Sequence, residues 1–253
     1  MLALPAISEE EKIETVNEKI RLISKKNGLS FGTDAYLLAA FVPRMPSALA
    51  IDLGSGTGIL PLLLLTRQKV KTAVAVEVQT AFCDLITRNA ALNGVSDKIT
   101  VLNCDLRELP KNLLACESAD MVLSNPPYMK VDSGKPNVHG QKFIARHEVC
   151  GNIGDFCHAA SGLLKYGGKF FCVYRPDRLV DLLSAMRLAT LEPKKMTFVH
   201  ANTASSPSMV LVEAKKGARG SLTLTKPLFL RTADGNMTPD AERIYETCSF
   251  GEF

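Results

Sequence analysis

The chain has 253 residues, 46% hydrophobic and 22% charged, a balance that excludes a disordered polymer and suits one large α/β domain or a domain with additions. No apolar run approaches the roughly 20 residues of a membrane-spanning helix, and Glu9-Glu10-Glu11 breaks the apolar start, which argues against a secretory signal. A net charge of +4 is compatible with a nucleic-acid partner and with many others, so it does not choose among them.

From the N-terminus, Ser8 to Glu11 has the spacing of a capping box and predicts a short helix. Lys19-Ile20-Arg21-Leu22-Ile23-Ser24 alternates charged and apolar residues. With Lys25-Lys26-Asn27-Gly28 as turn and Leu29-Ser30-Phe31 as return, it predicts a hairpin. An apolar helix follows over Ala35 to Val42, with Thr33 or Asp34 as N-cap and Pro43 as its stop. From Ala48 the pattern becomes a regular alternation of strands and helices. Strands are expected at Ala48–Asp52, Lys71–Glu77, Ile99–Asn103 and Asp120–Ser124, with helices at Leu60–Arg67 and Thr80–Leu92. A polar stretch, 129–151, reads as a long loop. Next come a helix over Asn152–Lys165, a Gly167-Gly168 turn, a strand over Lys169–Tyr174 and a helix over Leu179–Thr190. Lys194–His200 and Ser208–Ala214 read as an antiparallel pair closing the sheet, and Pro239–Thr247 as a last helix. Such alternation implies a parallel sheet covered on both faces. The expected organisation is a single domain, 1–253: a hairpin and helix in 1–47, a core in 48–214 and an appendix in 215–253.

Two stretches carry chemistry. The apolar strand ending at Ser124 runs into Asn125-Pro126-Pro127-Tyr128. Neither proline can donate a ladder hydrogen bond, so the strand stops there and leaves an amide, free carbonyls and a phenol ring at its mouth. Those groups suit a planar group bearing an NH2. The Asn125 oxygen and the Pro126 carbonyl accept its hydrogens, and Tyr128 stacks on its face. Alone, the motif is equally a turn that ends a strand. The second stretch is Asp52-Leu53-Gly54-Ser55-Gly56-Thr57-Gly58, which joins the first core strand to its helix. Alternate glycines permit a sharp bend and close approach of a ligand.

A dinucleotide loop is the obvious rival, but it requires G-x-G-x-x-G, and here the third glycine comes one residue early. Asp52 would also repel a diphosphate, whereas a cationic sulfonium bearing an amino acid suits it. Glu77, ending the second strand, is placed to accept from two ribose hydroxyls, and Asp105, after the third, from the exocyclic amine of adenine. Each acid alone is as well explained as a loop end or a helix cap. All three at successive strand ends, followed by Asn-Pro-Pro-Tyr on the fourth, point to S-adenosylmethionine. The seven cysteines are odd in number without a CxxC pair, and the four histidines form neither HExxH nor His-x-His. Reduced thiols in a cytoplasmic protein are therefore expected, and no metal site.

These residues resemble the signature of the amino-methylating class I methyltransferases. The resemblance implies a Rossmann-like α/β fold with a seven-stranded, mostly parallel sheet, helices on both faces and the last strand antiparallel. Phe31-Gly32-Thr33-Asp34-Ala35-Tyr36-Leu37-Leu38, Arg175-Pro176-Asp177-Arg178-Leu179, 210–217 and Pro227-Leu228-Phe229-Leu230 further resemble the bacterial valine-tRNA adenine-N6 methyltransferase family. That likeness implies methyl transfer to N6 of adenine 37 in a tRNA. It assigns Asn125, Pro126, Pro127 and Tyr128 to catalysis. Thr33, Asp34, Asp52, Gly54, Ser55, Gly56, Thr57, Gly58, Glu77, Asp105 and Asn125 are assigned to the cofactor. Tyr128 with Lys130, Lys142 and Arg146 is assigned to the RNA substrate. The chain departs from the family in its acidic start and in the Cys- and His-containing stretch after Tyr128. Methylation of a protein glutamine, guanine N2 methylation of ribosomal RNA and a non-catalytic RNA-binding module are the competing readings. Membrane association is not expected, and the sequence does not speak to oligomeric state.

Overall fold

Alternating apolar residues along the central strands divide the interior into two layers, one on each side of a single sheet. The computed structural model describes residues 5–26, 32–109, 112, 114–127 and 151–251. In chain order the elements begin with β1 (Glu11–Asn17), β2 (Ile20–Lys25), α1 (Thr33–Phe41), β3 (Leu49–Leu53), α2 (Ile59–Thr66), β4 (Thr72–Glu77), α3 (Thr80–Leu92) and β5 (Ile99–Asn103). They continue with β6 (Ala119–Ser124), α4 (Ile153–Leu163), β7 (Leu164–Tyr174), α5 (Leu179–Leu188), β8 (Leu191–Asn202) and β9 (Pro207–Lys216). The chain closes with β10 (Thr223–Leu224), β11 (Leu228–Arg231) and α6 (Pro239–Thr247). The sheet order is β10-β8-β9-β7-β6-β3-β4-β5, with β11 also paired to β8. Strands β3 to β9 are the seven expected, and β9 runs antiparallel to both its neighbours.

Along β7, Phe171 and Val173 enter the layer under α1, α2 and α6, while Phe170, Cys172 and Tyr174 enter the layer under α4 and α5. Such side chains are fully buried, and each contributes about 1.5–3 kcal/mol of apolar burial. The period-2 alternation thus builds both cores from one strand.

Four expectations are corrected. Ser8 to Glu11 does not start a helix. The Glu11 carboxylate accepts from Ser8 N–H at 3.0 Å, as in a capping box, but the chain turns into β1. The β-branched Ile13, Thr15 and Val16 that follow favour a strand. The hairpin exists one strand earlier than expected, because Ile20–Lys25 is the returning strand and pairs with β1. The turn and return expected at 25–31 fall largely on 27–31, outside the described residues. Helix α1 is capped by Gly32 and not by a Thr33 or Asp34 side chain. Gly167 and Gly168 lie inside β7, where the pairing with β6 jumps from Leu164 to Lys169, and so form a bulge instead of a preceding turn.

The stretch expected as an appendix is tied into the sheet. Strand β11 lies parallel on β8, and α6 packs on α1, with Tyr245 stacked on Tyr36 at 5.1 Å between ring centroids. Tyr36 Oη donates to the Tyr245 carbonyl at 2.6 Å. Lys69 closes the other end of α1, donating to the carbonyls of Ala39, Ala40 and Val42 at 2.7, 3.2 and 2.7 Å. No helix among the described residues is long and apolar enough to cross a membrane.

Candidate active site

The turn after β3 requires its glycines. Gly54, Gly56 and Gly58 take φ of 73°, 56° and 82°, a left-handed region that side chains disfavour. A β-carbon at Gly58 would also meet Ile86 at 3.1 Å, whereas one at Gly56 would meet nothing within 4 Å among the described residues. Among the described residues, the backbone at Gly56 is therefore open to a ligand. Gly54 and Ser55 both donate to the Val76 carbonyl at 3.0 Å, which fixes the turn over the end of β4.

Two buried carboxylates lie beneath it. Asp52 is 2% exposed; its Oδ2 accepts from Ser55 Oγ at 2.6 Å, and its buried Oδ1 has no hydrogen-bond partner among the described residues. Burial pushes its pKa up to about 7, and the charge of Glu77 adds to the rise. Glu77 is held by backbone donors, from Gly56 to Oε2 at 2.8 Å and from Gln79 to Oε1 at 2.9 Å. Burial raises its pKa against those bonds. Asp52, Ser55, Gly56 and Glu77 thus form one connected group. An orphaned, buried carboxylate oxygen beside an open glycine backbone fits a ligand that carries a cation and hydroxyl donors.

Asp105 follows β5 one residue beyond Cys104, whose N–H donates to the Glu77 carbonyl at 3.2 Å. Its carboxylate caps the 3-10 turn Leu106–Glu108 and pairs with Arg107 at 2.5 Å, which holds its pKa below the usual range. Of the three acids, Asp105 alone carries an ion pair among the described residues. Asn103, the last residue of β5, secures the loop after β4. It donates to the carbonyls of Glu77 and Val78 at 3.0 and 2.9 Å.

Strand β6 lies next to β3, so Asn125 emerges beside the glycine turn. Ser124, fully buried, locks this edge by donating from Oγ to the Leu53 carbonyl at 2.9 Å. Pro126 is buried, and Asn125 and Pro127 are half-buried. Tyr128, Lys130, Lys142 and Arg146 lie outside the described residues. Thr33 and Asp34 are the first two residues of α1, and Asp34 Oδ1 accepts from Ala35 N–H at 2.8 Å. The cations Lys194, Lys195, Lys215 and Lys216 lie at the other end of the sheet, at the start of β8 and the end of β9. No group of three or more His, Cys, Asp or Glu that would hold a metal occurs among the described residues.

Sequence reasoning missed Asn89 on α3 and Asn93 at its C-terminal cap, which bond the backbone of β2, and Asn89 also bonds the carbonyl of Thr57. The available signal was Asn89 alone: Asn is a poor helix former in a helix interior, so its presence there asks for a partner, whereas Asn93 before Gly94 reads as an ordinary helix end.

A relative from Porphyromonas gingivalis, named tRNA1(Val) (adenine(37)-N6)-methyltransferase, is 27% identical over 85% of this chain and 86% of its own length. Among solved structures, a predicted O-methyltransferase from Agrobacterium tumefaciens superposes with a TM-score of 0.70 at 22% identity, covering 86% of this chain and 97% of that one. A geranyl diphosphate C-methyltransferase from Streptomyces coelicolor, solved with S-adenosyl-L-homocysteine, superposes at 0.52 and 15% identity over 72% of this chain and 79% of its own. Both structures share the fold. The family model described as the methyltransferase small domain matches residues 24–186, a span that holds the glycine turn, Glu77, Asp105 and Asn125-Pro126-Pro127, and the chain belongs to that family.

Proposed function

We propose that this methyltransferase uses S-adenosylmethionine to methylate the exocyclic N6 of adenine in a tRNA, with adenine 37 of a valine tRNA as the target. The observation that carries the reading is the junction of β3 and β6. It sets Asn125 next to a glycine turn whose buried Asp52 has one oxygen without a partner among the described residues. The name and coverage of the Porphyromonas gingivalis relative support the choice of acceptor.

S-adenosylmethionine supplies an electrophilic methyl on a sulfonium. The chain's own residues do the rest by positioning and electrostatics. Asp52 Oδ1 takes the ammonium of the amino-acid moiety, Glu77 accepts from the ribose hydroxyls, and the Gly56 backbone lies against the ligand. Asp105 keeps accepting capacity for the adenine amine of the cofactor beyond its bonds to Arg107. Thr33 and Asp34 close the cofactor side from α1. On the acceptor base, Asn125 Oδ1 and the Pro126 carbonyl accept the two N6 hydrogens. The nitrogen lone pair, delocalised into the ring, is thereby turned toward the methyl and favoured in its more tetrahedral form. Pro127 enforces the end of the strand, and Tyr128 stacks on the flipped base, worth about 1–3 kcal/mol. No strong base is needed, because the N–H becomes acidic only as the methyl arrives. Lys130, Lys142 and Arg146 contact phosphates. A tRNA substrate implies a cytoplasmic protein.

The deciding experiment is tritiated methyl transfer to total tRNA followed by nucleoside analysis. Label in N6-methyladenosine is expected. Label in N2-methylguanosine or in protein glutamine, or none in RNA, would overturn the assignment of the acceptor.

A further inference from the structure

The glycine turn is held from three sides. Val76 accepts from Gly54 and Ser55, Glu77 accepts from Gly56, and the Thr57 carbonyl accepts from Asn89 Nδ2 at 3.1 Å. The first anchor is strand backbone, and the second is a carboxylate already assigned to the ligand. The third is a fully buried amide on α3 that the proposed chemistry does not use. The same amide closes on β2: Asn89 Oδ1 accepts from Ile23 N–H at 2.6 Å, and Nδ2 donates to the Ile23 carbonyl at 3.2 Å. Both amide hydrogens are therefore spent, one on the hairpin and one on the turn.

Asn93, one helical turn on, supplies an internal comparison. It makes the same two-bond clasp on Arg21, at 3.0 and 2.7 Å, but its remaining bond goes to the Asn89 carbonyl of its own helix. Asn93 docks the hairpin; Asn89 docks the hairpin and holds the turn.

We propose that Asn89 is a positioning residue for the cofactor: its amide holds the glycine turn directly through the Thr57 carbonyl, so that losing this bond weakens the cofactor whereas losing the neighbouring Asn93 clasp on the hairpin does not. The proposal rests on reading the turn as the S-adenosylmethionine site. Three left-handed glycines leave a backbone with wide freedom. Losing the Asn89 donor frees Thr57 and leaves its carbonyl without that partner. The cofactor must then order the turn itself, and affinity falls by the cost of that ordering.

The test compares Asn89→Asp and Asn89→Ser with Asn93→Ala. Asn89→Asp still accepts from Ile23 but sets a carboxylate against the Ile23 and Thr57 carbonyls; Asn89→Ser covers the case in which that variant fails to fold. Calorimetry should find the cofactor bound about tenfold or more weakly by the Asn89 variants. Their KM for S-adenosylmethionine should rise with kcat at saturation within about twofold, since Asn89 touches no reacting atom. Asn93→Ala should lower Tm comparably with Kd within about twofold. Hydrogen exchange at Gly56 and Thr57 in the ligand-free protein should quicken in the Asn89 variants alone. Unchanged exchange in those variants, unchanged affinity, or an equal loss in Asn93→Ala would each overturn the proposal. Absence of binding by the wild-type protein would instead strike the cofactor reading, and the exchange comparison would still decide whether Asn89 holds the turn.

Discussion

The carboxylate of Asp52 is buried beside a second carboxylate, Glu77, and its pKa stands near 7 in the free protein. A group whose folded pKa is raised favours the protonated native state. Its charge therefore detracts from stability as pH rises from the ordinary value of 3.8 toward about 7, and fully so above. Asp52→Asn should thus raise Tm at pH 8, with no gain at pH 3, while weakening S-adenosylmethionine. In the wild type, a bound ammonium favours the ionised form, so Kd should tighten about tenfold per pH unit between roughly 5 and 7 and then level off. Calorimetry across that range tests it; a wild-type slope identical to that of Asp52→Asn would remove Asp52 from the ammonium site. Asn125→Ala should lower kcat by about 10²–10³ with cofactor Kd within about threefold, since its amide is assigned to the acceptor nitrogen. A parallel collapse of cofactor affinity would reassign it. Asp52, Glu77 and Asn125 were legible because each lies within one residue of a strand end with an apolar run before it. Asn89 was not. Its partner Ile23 is 66 residues away, and no local pattern records a bond between a helix side chain and a distant strand backbone.

At the scale of elements, the N-terminal hairpin is fastened to α3 by side chains rather than by a continuing sheet. Arg88 clasps Glu11 with two bonds, at 2.8 and 2.7 Å, and Asn89 and Asn93 occupy the free edge of β2. The Arg88 guanidinium holds the Glu11 pKa down to about 2, below the ordinary 4.5. A lowered carboxylate pKa contributes stability that is complete above about 4.5 and lost as pH falls through about 2. Glu11→Gln should therefore cost roughly 1–3 kcal/mol at pH 7, with the gap from wild type closing between pH 4 and 2. Denaturant midpoints across that range decide it, and a gap independent of pH would deny the ion pair its role. The central strands were legible as short apolar runs bounded by turn residues. Strand β1 was not, because Glu11–Asn17 is half-buried at most positions and its polar alternation resembles a solvated helix start. Strand β11 was missed for a different reason. It has four residues, and its pairing with β8 is decided by tertiary contact.

Over the whole molecule, strand direction sorts the charges. Where β6 and β7 begin and β9 ends, Lys165, Lys169 and Lys216 pair with Asp120, Glu213 and Glu117 at 2.7, 2.8 and 2.9 Å. The glycine turn, Glu77 and Asn125 lie at the opposite end of the same sheet, so the ion-paired lysines lie away from the proposed chemistry. The cations next in sequence to Asn125 are Lys130, Lys135, Lys142 and Arg146, interleaved with Phe143. Cations mixed with an aromatic ring suit phosphate contact plus stacking, and phosphate contact releases counterions. Replacing Lys142 and Arg146 by Ala should lower tRNA affinity and reduce the log–log salt slope by about one unit for each phosphate no longer neutralised. Replacing Lys165 and Lys169, which removes the same charge from where β6 and β7 pair with acids away from the glycine turn, should leave the slope unchanged. Net charge attracting RNA to the surface at large predicts equal losses for both pairs, and a passive 128–150 segment predicts none for the first. Measuring both double variants from low to moderate salt separates recognition by the stretch that follows Asn125 in sequence from either alternative, because only that arrangement makes the slope depend on which pair of cations was lost.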